Sequence, residues 1–419
     1  MRHLQSLRTL FGISVFWLAL SMLFDGLNAL VLPSQLLALG GEGAEATRLG
    51  LVSFVGLLAA MLVQPVAGAL SDELRPRWGR RGLLALGVLL LLTSLLFYRM
   101  AQTLIAVFLG YLLVQVAASL AQAAQQGFLP DLISPEQRGV ASGLKGFMDL
   151  AGAMLAFVVL GELLNRGGSS TALLVIGGVI LLAFILTLLL VREPTEPIQP
   201  TLQHRALWEA FRLDLREHHA FVWLIVSRFC FLLGTYAVGR FLLLFVAERL
   251  RLDPTQAAEE TGILLGLLTL VTALAHPLAG WSTDRLGRLP LMLAGAALSA
   301  LGVLLLILAQ SQGQILLFGS LMALGSAAFA SANWAYTADL APQAEAGRFF
   351  GLANIGTAGA AAAAGLFGLL VDGANTLLPG SGYTVLFLAC ALAFGVSALA
   401  LRGVRSSPEI PLLSTLESH

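Results

Sequence analysis

The sequence predicts an all-α polytopic membrane protein whose twelve transmembrane helices form two six-helix repeats. Three observations lead there. Of 419 residues, 58% are hydrophobic and only 11% are charged, whereas soluble domains average roughly a quarter charged residues. Apolar windows long enough to cross hydrocarbon recur along the whole chain, and one charged loop pattern returns in the second half at a nearly fixed offset. The 24 basic and 24 acidic residues cancel. That leaves no net field to recruit nucleic acid, and neither a basic tract nor a zinc-type Cys/His spacing is present. Cys230 and Cys390 lie in apolar runs and read as small buried hydrophobes.

Arg2 and Arg8 precede an apolar run from Leu10 to Leu32, which is too long for a signal-peptide core and lacks a small-x-small cleavage pattern, so it reads as a retained first span. Crossing a bilayer takes about 20 apolar residues as a helix. Six such windows occupy roughly 10–32, 49–70, 82–101, 104–126, 140–163 and 171–191, and six more roughly 220–247, 261–282, 289–310, 314–338, 349–371 and 383–402. The expected organisation is a six-helix bundle over 1–191, a cytoplasmic linker over 192–219, a second bundle over 220–402 and a cytoplasmic tail over 403–419. Short basic loops stay cytoplasmic. With both termini inside, sixteen of the basic residues fall in cytoplasmic segments, five in outer loops, and Lys145, Arg228 and Arg240 within spans. This places the chain in a bacterial inner membrane with both termini cytoplasmic.

Near the end of the second span the chain reads GALSDELRPRWGRR (68–81), and near the end of the eighth GWSTDRLGR (280–288). Gly68 and Asp72 find Gly280 and Asp284 at an offset of 212; Gly79 and Arg80 find Gly287 and Arg288 at 208, the difference being the insertion 75–78. The offset of 208 persists from Phe128, Asp131 and Leu132 to Tyr336, Asp339 and Leu340. Parallel repeats of this kind occur in transporters whose substrate lies at the repeat interface near the midplane.

The Gly-x-x-x-Asp…Gly-Arg-Arg signature, its echo and the six-plus-six topology resemble the major facilitator superfamily over roughly residues 10–402. More narrowly, PVAGALSDELRPRWGRR (65–81) is similar to the sucrose-transporter-like and glycoside–pentoside–hexuronide symporter branch. The resemblance implies that Gly68, Asp72, Gly79, Arg80, Arg81, Gly280, Asp284, Gly287 and Arg288 form a cytoplasmic latch that steadies the outward-open state and breaks when the halves rock inward. Gly68 and Gly280 are expected to let neighbouring helices approach closely. The plainer alternative is that the arginines are topogenic charges alone.

A charge in mid-bilayer needs a partner or a wet cavity. Ser14, Ser21, Asp25 and Asn28 share one face of the first helix, and Asp25 is the leading candidate for a titrating or hydroxyl-binding carboxylate. The alternative is a static salt bridge from Asp25 to Arg240 or Arg228. Lys145 and Asp149, four residues apart, can pair along one face as a coupling site or a brace. Arg228 can hold a carboxylate, from Asp149 or from a substrate, while Arg240 is expected near the outer surface in a snorkelling or gate role. Gln115, Ser119, Gln122 and Gln126 give the fourth helix a wet face, answered by Ser326, Asn333, Trp334, Tyr336 and Thr337 on the tenth. Amides beside aromatics suit a polyhydroxylated ligand, though individually such groups also serve as interhelical hydrogen-bond glue. The run GTAGAAAAAG (356–365) is expected to pack closely on a neighbour, and His276 to be either a packing residue or a titrating group.

These features point to a secondary active transporter and not an enzyme, working by alternating access, with proton-coupled symport of a sugar or glycoside as the leading reading. A P-loop is absent. No cofactor is expected beyond a coupling proton or sodium ion; the expected partners are a small-molecule substrate and the bilayer, with the chain a monomer. Alternatives are a proton-coupled efflux antiporter for amphipathic compounds and a non-transporting receptor or pigment carrier of the same fold.

Overall fold

The computed structural model describes residues 7–39, 44–133, 138–191, 218–340 and 346–405. Arg2, nearly all of the expected linker and most of the expected tail lie outside the described residues. Eleven stretches among those described are helical, long and apolar enough to cross a membrane. They are α1 (Arg8–Ala38), α2 (Glu45–Gly68), α3 (Arg77–Arg99), α4 (Leu104–Phe128), the stretch Gly143–Leu190, α7 (His219–Leu250), α8 (Pro254–Thr283), α9 (Arg288–Leu306), α10 (Gln312–Thr337), α11 (Leu352–Leu377) and α12 (Gly382–Val404).

The stretch Gly143–Leu190 has 48 residues, more than twice the ~20 that one crossing needs. Gly168 interrupts it at φ 68°, ψ 179°, backbone that a side chain strongly disfavours. The chain reverses there. Leu190 returns to the start of α1, where a Cβ on Gly12 would lie 2.7 Å from the Leu190 Cβ, and the carbonyls of Leu189 and Leu188 accept from Arg8 and Arg81 at 2.9 and 2.6 Å. The stretch is therefore two crossings, α5 (143–167) and α6 (169–190), and the described helices make twelve. Two departures from regular α-helix stand opposite each other: π-turns at Leu27–Val31 in α1 and Ala156–Leu160 in α5. Gly26 sits between them, for a Cβ there would meet Leu160 and Ala156.

The expected loop over 71–81 is instead helix, running on to Gly79 at φ 65°, ψ 170°. Its counterpart Gly287 breaks the chain between α8 and α9 at φ 86°, ψ 161°. The repeat extends to side chains. Arg80 Nε donates to Asp131 at 2.9 Å and Arg288 Nε to Asp339 at 3.0 Å, both pairs related by the offset of 208. These bonds lie within each half, tying the start of the third helix to the end of the fourth. In the first half Arg80 is buried against Gly127, where a Cβ would lie 2.4 Å from the guanidinium carbon. The matching position holds Ala335, and there Arg288 is 30% exposed.

The two ends of the bundle differ. At the end bearing Gly168, the halves touch backbone to backbone. A Cβ on Gly50 of α2 would lie 2.0 Å from the Gly365 carbonyl oxygen of α11, and one on Gly368 2.0 Å from that of Ala46. The Thr47 amide donates to Asp372 at 2.6 Å across the same contact. α5 and α8 meet likewise, Gly262 against the Phe157 carbonyl at 2.3 Å. At the end bearing Gly79 and Gly287, a Cβ on Gly68, Gly143 or Gly280 would meet no atom of the described residues within 4 Å. Among the described residues the expected close approach at Gly68 and Gly280 is thus not present, so α2 and α8 meet no neighbour at those positions. The small-residue run of α11 packs closely as expected, but on two neighbours: Gly356 and Gly359 against Ile225 and Phe229 of α7, and Gly365 against Gly50 of α2.

A pair of substitutions separates the two ends. Gly365→Val must push α2 from α11, so it should lower the melting temperature and expose a cysteine placed at Ala46 to a membrane-impermeant thiol reagent. Gly68→Val meets no described atom here, so it should leave melting unchanged while slowing transport about tenfold or more by obstructing the opposite closure. Unaltered labelling in the first variant and unaltered flux in the second would refute the assignment.

Candidate functional site

Between the two halves lies a cavity of about 670 Å³. Its walls include Ser14, Trp17, Gln64, Gln122, Gln125, Gln126 and Lys145 from the first half, and Trp334, Asn354 and Thr357 from the second. A smaller cavity of about 300 Å³ lies deeper, lined by Asp25, Asn28, Thr235, Tyr236 and Arg240 among others. Both are lined by Ala361, so the two cavities adjoin at that residue of α11.

Helix α1 carries polar groups along these cavities as its periodicity predicts: Ser14 in the larger cavity, Asp25 and Asn28 in the smaller. Asp25 forms no salt bridge with Arg228 or Arg240. Its Oδ2 lies 2.7 Å from Ser21 Oγ, which is also 2.6 Å from the Asp149 carbonyl oxygen. The expected Lys145–Asp149 pair is present at 2.6 Å, half-buried, and Lys145 Nζ also sits 4.0 Å over the Trp17 ring. Asp149 is therefore not the partner of Arg228.

The second half positions Arg228 through aromatic packing. Phe231 of α7 and Phe329 of α10 stack at 3.8 Å, one turn from Arg228 and Asn333. Arg228 donates from Nη1 to Asn333 Oδ1 at 2.6 Å and from Nε to Thr357 Oγ1 at 3.0 Å. Its guanidinium lies 4.1 Å over the Trp334 ring. Arg240 is not at the surface as expected: it is 7% exposed and crosses between halves, donating to Asn28 at 3.2 Å and Ser53 at 2.9 Å. The helix α7 continues to Leu250, which leaves Arg240 well inside it.

Helix α4 splits its amides between two tasks. Gln122 and Gln126 line the larger cavity, whereas Gln115 is buried, donating to Tyr111 Oη at 2.7 Å, and Tyr111 in turn to Asn28 Oδ1 at 2.6 Å. Ser119 closes on its own helix at Gln115 O. On α10, Trp334 faces the cavity, while Tyr336 and Thr337 are buried in packing. His276 contacts Ser331 at 3.1 Å. Cys230 and Cys390 are both free thiols. The side chains of Asp72 and Asp284 lie outside those described, and Arg81 binds the end of α6. Sequence reading passed over Trp17, Gln64, Gln125, Asn354 and Thr357. Of these only Gln125, inside the run QAAQQ (122–126), carried a local signal.

A model of the Major Facilitator Superfamily matches residues 9–259 and 226–418. The magnetosome protein MamH of Paramagnetospirillum magneticum is 28% identical over 215 residues, which is 50% of this chain and 49% of that protein; the alignment thus spans about half the length of that relative. Among solved structures, the nucleoside transporter NupG superposes with a TM-score of 0.74 at 16% identity, covering 96% of this chain and 100% of that one. A bacterial homologue of the human lysosomal transporter Spinster, in an inward-facing and unoccupied conformation, gives 0.70 at 16% identity over 96% of each chain. A POT family transporter in complex with 5-aminolevulinic acid gives 0.72 at 14% identity over 95% of each. At these identities the likeness is one of fold.

Asn28 Oδ1 accepts from Tyr111, Gln115 and Arg240, the last two at 3.5 and 3.2 Å. Asn28→Ala should therefore lower stability by about 1–3 kcal/mol, since buried donors lose their acceptor. Denaturant unfolding in detergent reads this; a variant as stable as wild type would show that water replaces the amide without cost.

Proposed function

Because the chain belongs to the Major Facilitator Superfamily and is a secondary transporter, we propose that it moves a hydrophilic solute of sugar size together with a proton, by alternating access. The observation that supports this most is the pair of adjoining cavities, the larger walled by amides and the smaller by Asp25, with close backbone contacts between the halves at one end of the bundle. If the basic loops are cytoplasmic, this conformation faces inward. The sugar or glycoside reading rests on the narrower resemblance of residues 65–81 and on the amide wall of Gln64, Gln122, Gln125 and Gln126 facing Trp334, which suits hydroxyls and a ring face. Efflux of lipophilic cations has less support, because Arg228 and Arg240 border the cavities. A membrane of the bacterial inner type, cytoplasmic termini and a monomeric state belong to the same proposal.

Coupling would run through Asp25. Ser21 Oγ has one proton and two acceptors within 2.7 Å, the Asp25 carboxyl and the Asp149 carbonyl. If Ser21 donates to the carbonyl, the Asp25 contact is satisfied only by a protonated carboxyl donating to Ser21; if Asp25 is ionised, Ser21 donates to it and the bond to the Asp149 carbonyl, which holds α1 to α5, is lost. A proton that binds the two conformations unequally biases their populations, which is what coupling requires.

Proteoliposomes under an imposed pH gradient test this. Asp25→Asn mimics the protonated carboxyl, so gradient-driven accumulation of a labelled sugar should fall about tenfold or more, while exchange without a gradient continues. Accumulation that survives the substitution would remove Asp25 from the coupling step.

A further inference from the structure

Arg228 is 6% exposed, yet its polar partners among the described residues are neutral, Asn333 and Thr357. Of five guanidinium N–H groups, those two bonds use two, leaving three without an acceptor. The Asn333 side chain is fully buried. Its oxygen is taken by Arg228, and its Nδ2 has no hydrogen-bond partner. A buried cation and a buried amide N–H group, side by side and both short of acceptors, are costly, and mid-membrane charges ordinarily pair or face a wet cavity. Trp334, which the guanidinium covers, and Thr357 both line the larger cavity. On the facing wall the surplus is of the opposite kind: Gln125 donates to the Ile13 carbonyl, and its buried Oε1 has no donor.

We propose that the cargo carries an oxyanion, a carboxylate or phosphate, that reaches the remaining N–H groups of Arg228 beside the cavity-lining Trp334 and Thr357, with its hydroxyl or amine donors directed to the facing amide wall. This deepens the transport reading and rests on it for the word cargo, but the binding site itself does not. The guanidinium gives planar, two-pronged recognition that an ammonium would not. Its stacking on Trp334 and the Asn333 bond fix its plane before a ligand arrives, which lowers the ordering cost of binding.

The full-length protein in detergent, melted in the presence of matched ligands, tests this. Suitable sets are glycerol with glycerate and glycerol 3-phosphate, and glucose with gluconate and glucose 6-phosphate. At least one anionic member should raise the melting temperature where its neutral counterpart does not, and the carboxylate and phosphate arms tell the two oxyanions apart. Arg228→Met should weaken that effect about tenfold or more and, without ligand, should melt at or above the wild-type temperature, since an uncompensated buried charge has gone. Asn333→Asp supplies the missing anion internally, so it should raise ligand-free melting and abolish anion binding. Equal stabilisation by the neutral members, no response to any anion, or a lower melting temperature for ligand-free Asn333→Asp would overturn the assignment. Stabilisation by the neutral sugar alone would leave proton-coupled sugar transport standing, whereas anion binding without gradient-driven uptake would leave the site standing and remove the transport reading.

Discussion

Backbone contact between helices here occurs where at least one of them carries glycine, and the packing of this molecule depends on where those residues stand. On α2, Gly50 is pressed against α11 while Gly68 has no described atom within 4 Å; on α8, Gly262 is pressed against α5 while Gly280 has none either. In lipid there is no hydrophobic drive to hold helices together, so van der Waals contact at small residues carries much of the association. A helix with such a surface at each end can exchange one contact for another with little net change in energy. That is the condition for two conformations of similar stability, and it lets a modest ligand or proton preference decide between them.

The polar groups are distributed to suit that exchange. The bonds that must survive it lie within one half: Arg80 with Asp131, Arg288 with Asp339, Lys145 with Asp149. Those crossing between halves, Arg240 to Asn28 and Ser53 and the Thr47 amide to Asp372, gather towards the sealed end. Opening that end would break them together and leave Arg240 in a cavity open to water. A charge released into water costs far less than one released into hydrocarbon, so Arg240 can serve as a gate where an unwetted buried cation could not.

Much of this was legible in the sequence, for definable reasons. Span number follows from hydropathy, because the bilayer imposes one length on every helix. The offset of 208 marked Arg80 with Arg288 and Asp131 with Asp339 as equivalent residues; that each Arg bonds the Asp of its own half is the fact the offset alone does not contain. Partners of single charges were not legible. For Asp25 the sequence offered Arg240 or Arg228 as a static partner where the structure supplies Ser21, because a helical face fixes direction but not what stands opposite. The same limit separated Gln115, absorbed by Tyr111 and Asn28, from Gln122 on one apparent wet face. The π-turn at Leu27–Val31 adds a local reason, since it shifts the register of α1 where Asn28 sits, and nothing in the apolar pattern announces it.

The two proposed ionic events bear on each other. Moving one elementary charge through the membrane potential is worth about 2.3 kcal/mol per 100 mV. A proton carried on Asp25 with a neutral sugar would move one positive charge per cycle and respond to voltage. The same proton carried with a monoanion seated on Arg228 would move none. Clamping the potential with a potassium ionophore while holding the pH gradient fixed should therefore leave the initial rate of monoanion uptake unchanged. A rate that rises with an interior-negative potential would mean that more than one proton accompanies each anion, or that the cargo is uncharged. Among the described residues the side-chain hydrogen-bond partners of Arg228 and Arg240 are neutral, which fits the neutral sum: a bound anion would offset part of that positive charge, and a protonated Asp25 would add nothing to oppose it.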